Sequence, residues 1–451
     1  MLSISQILRQ FKQEWVRQLD DRHLQAACEA IEFTWRERVL SPVYTIKLFL
    51  LQILWSNTAC DHVPHLADRR FSGEAYCKAR ARLPLKVLQY LLTRCTSAML
   101  AATRGDGLWR GHRLWLVDGT TFSMPDTPPL QAHFGQSGVQ KPGCGFPIAH
   151  GLALVHAASG LMTKLLLAPL RTNDLSQVVQ LHEDLAAGDL LVGDRAFASY
   201  AHFALLLRRG VQGLMRAHQG MTVDFTSRRR HVPPQQKRTR EDRGVPSSRW
   251  VRRLGKQDQV VEWFRPKQGP LWMTPAEFAA LPESLFMREL RYEVNQRGCR
   301  VRIVTLVTTL LDPAQYPADE LAKLYQKRWR IETDFAHLKT TLGMDILKCK
   351  TVAGVEKEAT MFVLVYNLVR MVMREAAQRQ GVEVERISFI DTLRWLMSTR
   401  SDSRLPDLLV NPLRPGRYEP RVRKRRPKSF PVMTRPRAVL RKALETKSLS
   451  T

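Results

Sequence analysis

The first hundred residues of the chain carry apolar side chains at intervals of three and four, the spacing that predicts amphipathic helices. The pattern is clearest in LSISQILRQFKQEW, VYTIKLFLLQILW and LPLKVLQYLLTRCTSAML. Between the last two, Ser72 is a suitable N-cap for a short helix, and Pro84 is a suitable first residue for the next one. The short helix carries Lys78, Arg80 and Arg82, which fits either a DNA-reading element or a solvated basic face.

The pattern changes at Arg113, where continuous apolar runs bounded by turn residues replace the helical spacing. The runs RLWLVDGTTFSM, GLALVHAASGLMTKLLLAP, DLLVGDRAF and VQGLMRA indicate five strands, because the second contains a turn at Gly160. A helical stretch at residues 175–187 separates the second run from the third. Strands and helices in this order predict an α/β domain whose mixed sheet is flanked by helices.

Between residues 219 and 300 this pattern is interrupted. Residues 227–249 are basic, polar and proline-containing, which predicts an exposed loop. The strand-like stretches QVVEWF, FMRELRYEV and RVRIVTLVTTL follow, and the third leads back into the α/β domain. We therefore predict a helical N-terminal domain (1–105), a split α/β domain (106–218 and 301–400), a β-rich insertion (219–300) and a basic C-terminal tail (401–451).

The net charge of the chain indicates a class of binding partner. The 451 residues include 70 Lys and Arg against 42 Asp and Glu, which gives a formal net charge of +28. Such an excess repels itself unless a polyanion is present, so nucleic acid is the first candidate partner and an anionic membrane the second. The most apolar stretch, residues 39–55, contains a proline and a lysine and is shorter than the roughly 20 residues of a membrane span. We therefore expect no membrane association. The seven scattered cysteines suit a reducing, cytoplasmic location.

Three carboxylates are candidate functional groups, and two of them follow predicted strands, where α/β folds usually bind ligands. Asp118 and Asp194 each follow a predicted strand, and acids at one edge of a sheet can converge. The third acid, Glu332, lies on a long helix predicted from Pro317 to Gly343. Taken alone, Asp118 is explained as well by an ordinary Asp-Gly turn after a strand.

The predicted long helix presents a polar border beside an apolar stripe. On an ideal helix, Tyr325, Arg328, Glu332 and Lys339 fall within an arc of about 60°. The adjacent stripe contains Leu324, Ile331, Phe335, Leu338 and Leu342. Asp334 points near 180° on this wheel, so it is a poor candidate ligand and Asp334→Asn is expected to be a neutral control. The alternative is an exposed helix face with ordinary Arg–Glu pairing.

Three carboxylates in a basic protein suit two Mg²⁺ ions about 4 Å apart, with Mn²⁺ as an alternative metal. One ion would activate the attacking water or 3′-hydroxyl, and the other would stabilise the leaving oxyanion. The neighbouring cations can hold the scissile strand by its phosphates. We therefore interpret Asp118, Asp194 and Glu332 as catalytic metal ligands in phosphodiester chemistry.

At these residues the sequence resembles the DDE transposases of bacterial insertion sequences, in the "IS four" type group with a Y-x2-R-x3-E-x6-K motif. In YQKRWRIETDFAHLK, the motif is matched at every position by Tyr325, Arg328, Glu332 and Lys339. VDGTTFSMPDT resembles the segment around the family's first Asp, and LLVGDRAFASY the segment around its second. The resemblance runs from about residue 71 to residue 437 and is weakest over the first 70 residues.

The resemblance implies a ribonuclease-H-like catalytic domain that a β-rich insertion interrupts. It implies an enzyme that binds the terminal inverted repeats of its own element, cleaves a strand to free a 3′-hydroxyl, and joins that end to target DNA. Relatives with this motif form a DNA hairpin intermediate and act as homodimers. By the same resemblance, Tyr325, Arg328 and Lys339 contact phosphates at the transposon end, and the N-terminal helices bind the repeat.

Two other classes of protein stay open. A catalytically dead, transposase-derived DNA-binding protein would be expected to have lost at least one acid, whereas all three are present. A general Mg²⁺-dependent DNA nuclease would need neither the Tyr-Arg-Lys set nor a defined end sequence. A strand-transfer assay with precleaved ends separates the nuclease from a transposase.

Overall fold

The computed structural model describes residues 13–105, 107–229, 231, 245–294, 303–398, 404–413 and 433–448. Most of the predicted loop at 227–249, and residues 414–432 of the predicted basic tail, lie outside these ranges. Among the helices within them, none combines the length and apolar character that crossing a bilayer requires.

The described residues before β1 form helices, as their apolar spacing predicts. The helices are α1 (Glu14–Arg17), α2 (Asp21–Glu29), α3 (Pro42–Leu54), α4 (Val63–Leu66), α5 (Gly73–Arg82) and α6 (Leu85–Ala102). The Ser72 hydroxyl accepts a hydrogen bond from the Ala75 amide at 3.1 Å and caps α5, as predicted. Pro84 is the N-cap residue of α6, where a missing amide N–H costs nothing.

A nine-stranded mixed sheet forms the centre of the molecule, which confirms the predicted α/β class with a mixed sheet. Its strands are β1 (Leu114–Ser123), β2 (Ile148–His156), β3 (Met162–Pro169), β4 (Leu190–Gly193), β5 (Gln212–Arg216), β6 (Ser247–Gly255), β7 (Asp258–Phe264), β8 (Ser284–Glu293) and β9 (Ile303–Thr308). Their order is β3-β2-β1-β4-β5-β9-β8-β7-β6. The pairs β1–β4 and β4–β5 are parallel and the others antiparallel. The three strands within the predicted insertion, β6 to β8, continue this sheet beyond β9.

Helices cover both faces of the sheet. They are α7 (Pro128–Phe134), α8 (Asp174–Leu181), α9 (Tyr200–Arg208), α10 (Pro275–Ala279), α11 (Ala318–Gln326), α12 (Arg330–Ala336), α13 (Val352–Gln380) and α14 (Phe389–Ser398). A further helix, α15 (Arg437–Ser448), is mainly exposed. Alternate residues of β1 point into two separate cores, Leu116 into the core that includes α6 and α13, and Val117 into the core that includes α8 and α9. This alternation is the expected result of the two-residue period of a strand.

Helix α13 is the main support behind the sheet, and it is buried along most of its 29 residues. Its Asn367 side chain accepts a hydrogen bond from the Met162 amide at 2.9 Å and donates to the Met162 carbonyl at 2.8 Å. Its Arg370 guanidinium donates twice to the Ser159 carbonyl, at 3.0 and 2.9 Å. The helix therefore fixes the start of β3 through buried polar contacts as well as apolar packing.

The predicted long helix from Pro317 to Gly343 is interrupted. Between α11 and α12 lies a 3₁₀ turn at Lys327–Trp329, and after α12 lies a π-helical turn at His337–Thr341. These turns wind more tightly and more loosely than an α-helix, so a constant 100° per residue does not hold across the segment. The predicted apolar stripe is nevertheless buried throughout. Gly343, with φ of +84°, ends the segment as expected.

Candidate active site

Asp118 and Asp194 lie side by side on two parallel strands. The last paired residues of β1 and β4 are Leu116 and Val192, and each acid lies two positions beyond this pair. After β4 the chain turns away, because the Asp194 side chain accepts a hydrogen bond from the Ala196 amide at 2.7 Å and caps a short 3₁₀ turn. The structure thus brings the first two predicted acids to the same edge of the sheet.

Strand β1 does not end at Asp118, as the sequence pattern suggested, but continues to Ser123. The neighbouring β2 runs antiparallel and supplies backbone partners along this extension. The Lys339 ammonium donates to the Thr121 carbonyl at 2.9 Å and lies 3.5 Å from the Thr120 hydroxyl. Lys339 is therefore placed further along β1 and not on the carboxylates.

Arg328 lies between the first and third acids. Its Nη1 donates to Asp118 Oδ2 at 2.7 Å, and its Nη2 lies 3.8 Å from Glu332 Oε1. Asp118 Oδ1 accepts a second hydrogen bond from the Gly119 amide at 2.8 Å. The sequence pattern predicted only the pairing of Arg328 with Glu332, because periodicity compares positions on one helix and says nothing about a strand opposite it.

The charges of the other two acids act on Asp118. Burial raises the pKa of Asp118 above its ordinary value, and the charges of Asp194 and Glu332 raise it further. The Arg328 guanidinium and the Gly119 amide oppose this effect without cancelling it. The pKa of Arg328 is raised even though burial acts to lower it, because Tyr325, Asp118 and Asp194 stabilise the charged form. Like charges held this close favour a cation between them.

Tyr325 forms the buried side of the same site. Its ring is 5.8 Å from the Arg328 guanidinium carbon, and burial followed by the charge of Asp194 raises the pKa of its hydroxyl. Of the four motif residues, the structure therefore groups Tyr325, Arg328 and Glu332 around the two aspartates. Lys339 extends the site along β1.

Asp334 faces away from this group, in agreement with the helical wheel, but it is not a neutral position. It is 6% exposed, and its Oδ1 accepts a hydrogen bond from the Tyr366 hydroxyl at 2.8 Å. Burial raises its pKa, and Arg370 opposes that rise. The expectation that Asp334→Asn would be a harmless control is therefore wrong in its premise, since α13 covers this face of α12. Periodicity within one helix could not identify that neighbour.

The three N-terminal cations are divided between two environments. Lys78 is exposed and forms an ion pair with Glu74 at 2.6 Å, and Arg82 is also exposed. Arg80 instead lies with its guanidinium 3.9 Å from the centre of the Phe49 ring. The predicted DNA-reading face therefore retains Lys78 and Arg82, while Arg80 points into the interior of the N-terminal region.

The donor set suits a divalent cation by its chemistry. Carboxylate oxygens are the ligands that Mg²⁺ prefers, and the mutual repulsion of the three acids would be relieved by such an ion. In the described part of the chain, however, no three Asp, Glu, His or Cys side chains lie close enough together to hold a metal. Arg328 is the cation now between Asp118 and Glu332, so it would have to release Asp118 to admit a metal ion.

Comparisons with known proteins yield a matching family model, a related sequence and a structural neighbour. A family model described as "Transposase DDE domain" matches residues 109–368, more than half of the chain. The chain is 25% identical over 384 residues to "Transposase InsG for insertion sequence element IS4" of Escherichia coli (strain K12), across 79% of this chain and 77% of that protein. It also aligns with a chain of the structure titled "Cryo-EM structure of piggyBac transposase synaptic complex with hairpin DNA (SNHP)". That alignment has a TM-score of 0.44 and 9% identity, and it covers 83% of this chain and 75% of the other.

Proposed function

Because the chain belongs to the family of transposase DDE domains and is a transposase, we propose that it binds the terminal inverted repeats of its own insertion sequence and catalyses DNA strand cleavage and strand transfer. The observation that carries this proposal is the placement of Asp118 and Asp194 two residues beyond the last pair of β1 and β4, with Arg328 between Asp118 and Glu332. The net charge of +28 supports a polyanionic partner.

We assign Asp118, Asp194 and Glu332 as the residues that would hold two Mg²⁺ ions, or Mn²⁺. When bound, such ions activate the attacking water or 3′-hydroxyl and stabilise the leaving oxyanion. The exposed carboxylate of Glu332 can reorient toward a ligand at little cost, whereas Asp118 is held by a backbone amide and is already positioned. This division of roles fits a site that is completed when its ligands arrive.

Arg328 would then exchange a carboxylate for a phosphate of the bound DNA. A guanidinium can bind either oxyanion through its paired N–H groups, so the exchange keeps its charge neutralised. Tyr325 packs under the guanidinium and limits its movement, and Lys339 would bind a phosphate further along β1. These three side chains therefore position the DNA end.

The wider architecture is consistent with this proposal. The order β3-β2-β1-β4-β5, with parallel pairing only around β4, supports a ribonuclease-H-like domain formed by residues 106–218 and 301–400 and interrupted by residues 219–300. Lys78 and Arg82 are available on the N-terminal helices for contacts with the repeat, which we assign to residues 1–105. We propose that a homodimer holds two paired ends.

A strand-transfer assay tests the proposal. Purified protein is incubated with Mg²⁺, a target plasmid and a precleaved duplex that ends in the terminal repeat of the element encoding the chain. We expect joined products with the repeat and none with a scrambled duplex of equal length. Asp118→Asn should abolish joining, while Arg328→Ala should also weaken binding of the end.

Each alternative has its own signature in this assay. Degradation of both duplexes without joining would indicate a general nuclease. Specific binding of the repeat without cleavage or joining by the wild-type protein would indicate a catalytically dead DNA-binding protein. Either result would contradict the proposed reaction.

A further inference from the structure

A cavity of about 470 Å³ lies outside the candidate active site, where α3 and α5 meet the segment that leads into α13. Four cationic side chains line it: Arg80, Lys348, Lys350 and Lys357. Among the described residues that line this four-cation pocket, none is an aspartate or a glutamate. A cavity with this lining favours an anionic occupant.

Two of these lysines, Lys348 and Lys357, donate hydrogen bonds to neutral backbone groups. The Lys348 ammonium donates to the carbonyl of Asn57, and the Lys357 ammonium donates to the carbonyl of Ala81 at 2.9 Å. Carbonyl oxygens orient an ammonium group but do not neutralise its charge. Burial lowers the pKa of Lys357, and the neighbouring charge of Arg80 also acts in that direction.

Arg80 forms the inner wall of the pocket. Its guanidinium lies over the Phe49 ring and donates to the Gln52 side-chain oxygen at 2.7 Å, so its hydrogen-bond partner here is neutral. The buried acid Glu358 accepts hydrogen bonds from the amides of Lys348 and Cys349, each at 2.8 Å, and does not line the cavity. Its charge acts on Arg80 and offsets part of the positive charge of the pocket.

The N-terminus of α13 adds to the positive potential. Thr351, which also lines the cavity, caps the helix by accepting a hydrogen bond from the Gly354 amide at 3.2 Å. The other free amides of the first turn and the helix dipole favour an anion at this end. We propose that the four-cation pocket binds a backbone phosphate of the DNA, several nucleotides away from the phosphate that is cut.

The path between the two sites supports DNA as the source of this phosphate, an assignment that rests on the proposed function. From Asp118, β1 runs past Lys339 to Ser123, which bridges to Ile346. The chain then continues directly to Lys348 and Lys350. At about 3.4 Å per residue, β1 covers roughly 17 Å from Asp118 to Ser123, which corresponds to about five nucleotides of one strand. One cation, Lys339, therefore lies on the described path from the acids to the pocket, where it also pairs with Asp345 at 3.2 Å.

Charge removal at the pocket is the first test. In Lys348→Gln/Lys357→Gln, we expect end-duplex affinity to fall about tenfold and the dependence of log affinity on log salt to become shallower by up to about two. The loss should be equal for unrelated duplexes, because phosphate contacts carry no sequence information. Lys348→Arg/Lys357→Arg should restore binding. Lys256→Gln/Lys267→Gln, at two exposed lysines that lie outside residues 1–105 and do not line the cavity, is the matched control.

Thiol protection tests the site in the unaltered protein. Cys77 is exposed and lines the pocket, whereas Cys28, Cys95 and Cys144 are buried elsewhere and serve as internal references. We expect DNA to slow labelling of Cys77 by N-ethylmaleimide, measured by peptide mass spectrometry. Inorganic phosphate at the same phosphate concentration should protect much less. Protection by inorganic phosphate but not by DNA would assign the pocket to a free anion and overturn the proposal.

The two proposals fail in distinguishable ways. Glu332→Gln protein should lose cleavage while DNA still protects Cys77, because that substitution leaves the pocket intact. Wild-type protein that binds DNA, together with a pocket variant of unchanged affinity and an unprotected Cys77, would overturn the pocket alone. Wild-type protein that binds no DNA would overturn both the pocket and the proposed function.

Discussion

The two faces of α12 place the same chemical group in opposite environments. On the face that borders β1, the side chain of Glu332 is 65% exposed and touches the edge of the Arg328 guanidinium. On the face that packs against α13, Asp334 is buried and accepts a hydrogen bond from the Tyr366 hydroxyl. Glu332 can therefore change partners, while Asp334 is committed to the packing of the helix.

Two residues of the same helix therefore have different roles, since Glu332 is available for catalysis and Asp334 contributes to folding. An exposed carboxylate contributes little to stability, because water solvates it as well in the unfolded chain. A buried carboxylate with a donor and a nearby guanidinium costs a great deal to disrupt, since its partners are left without compensation. We infer that the buried face anchors α12 so that the exposed face can carry out chemistry from a fixed position.

The largest effect is expected from Glu332→Gln. The substitution preserves size and helix propensity but removes the charge that would help hold a metal ion. We predict near-complete loss of Mg²⁺-dependent cleavage, with binding of the transposon end and thermal stability largely unchanged. Gel-shift, cleavage and melting measurements on one preparation test this prediction.

Asp319→Asn is the matched control for this variant. Asp319 is exposed on α11 and pairs with Lys323 at 2.9 Å, so its substitution also removes one surface carboxylate from the same segment. Cleavage should be retained. If Asp319→Asn abolished cleavage while Glu332→Gln did not, the third acid would be wrongly assigned.

Asp334→Ala is expected to act on stability. It removes one of two acceptors near the buried Tyr366 hydroxyl, the other being the Gly160 carbonyl at 3.0 Å, and it removes the carboxyl group that acts on Arg370. We predict that the free energy of unfolding falls by about 1–3 kcal/mol, as for other buried groups that lose a partner. Urea denaturation measures this fall. Glu332→Ala should change the same quantity by less than about 0.5 kcal/mol, and equal losses would contradict the contrast between the two faces.

Much of this arrangement could be predicted from the sequence, and the exceptions share a cause. The strand run that ends near Asp194 and the buried stripe beside the motif residues are local patterns, and the structure agrees with them. The run before Asp118 is also a strand, but its continuation to Ser123 depends on pairing with β2. The pairing of Arg328 with Asp118 and the burial of Asp334 depend on which element lies opposite. Periodicity describes one element at a time, so it cannot identify a partner across the core.

The helical winding between α11 and the end of the π turn also could not be predicted from the spacing of apolar residues. A 3₁₀ turn and a π turn change the rotation of the side chains without changing the spacing of apolar residues. Lys339, which follows α12 in the π turn, consequently lies on the extension of β1 and not beside Glu332. The motif therefore predicts which residues belong to the candidate site better than it predicts their relative positions.

The buried face should show a dependence on pH. Because burial raises the pKa of Asp334 above 3.8, the folded protein holds this proton more tightly than the unfolded chain does. The stability from this residue is present below its ordinary pKa and is lost as pH rises through the raised value. Asp334→Asn cannot titrate but can still accept from Tyr366. The wild-type free energy of unfolding minus that of the variant should therefore fall with rising pH and then level off, and a flat difference in urea titrations would contradict this account.

The smallest effect is expected where the exposed face meets β1, at Lys339. Its ammonium donates to the Thr121 carbonyl and lies 3.2 Å from Asp345, so Lys339→Ala removes a cation from the extension of β1 without removing a carboxylate. We predict a fall in end affinity of about threefold to tenfold and a salt dependence shallower by about one, with the Mg²⁺ dependence of cleavage retained. Filter binding at several salt concentrations tests this. Lys323→Ala, at an exposed lysine of α11 whose charge is already paired with Asp319, should leave the salt dependence unchanged. If the two variants lost affinity equally, net charge and not the position of Lys339 would determine binding. That result would contradict the proposal that the exposed face orients the DNA.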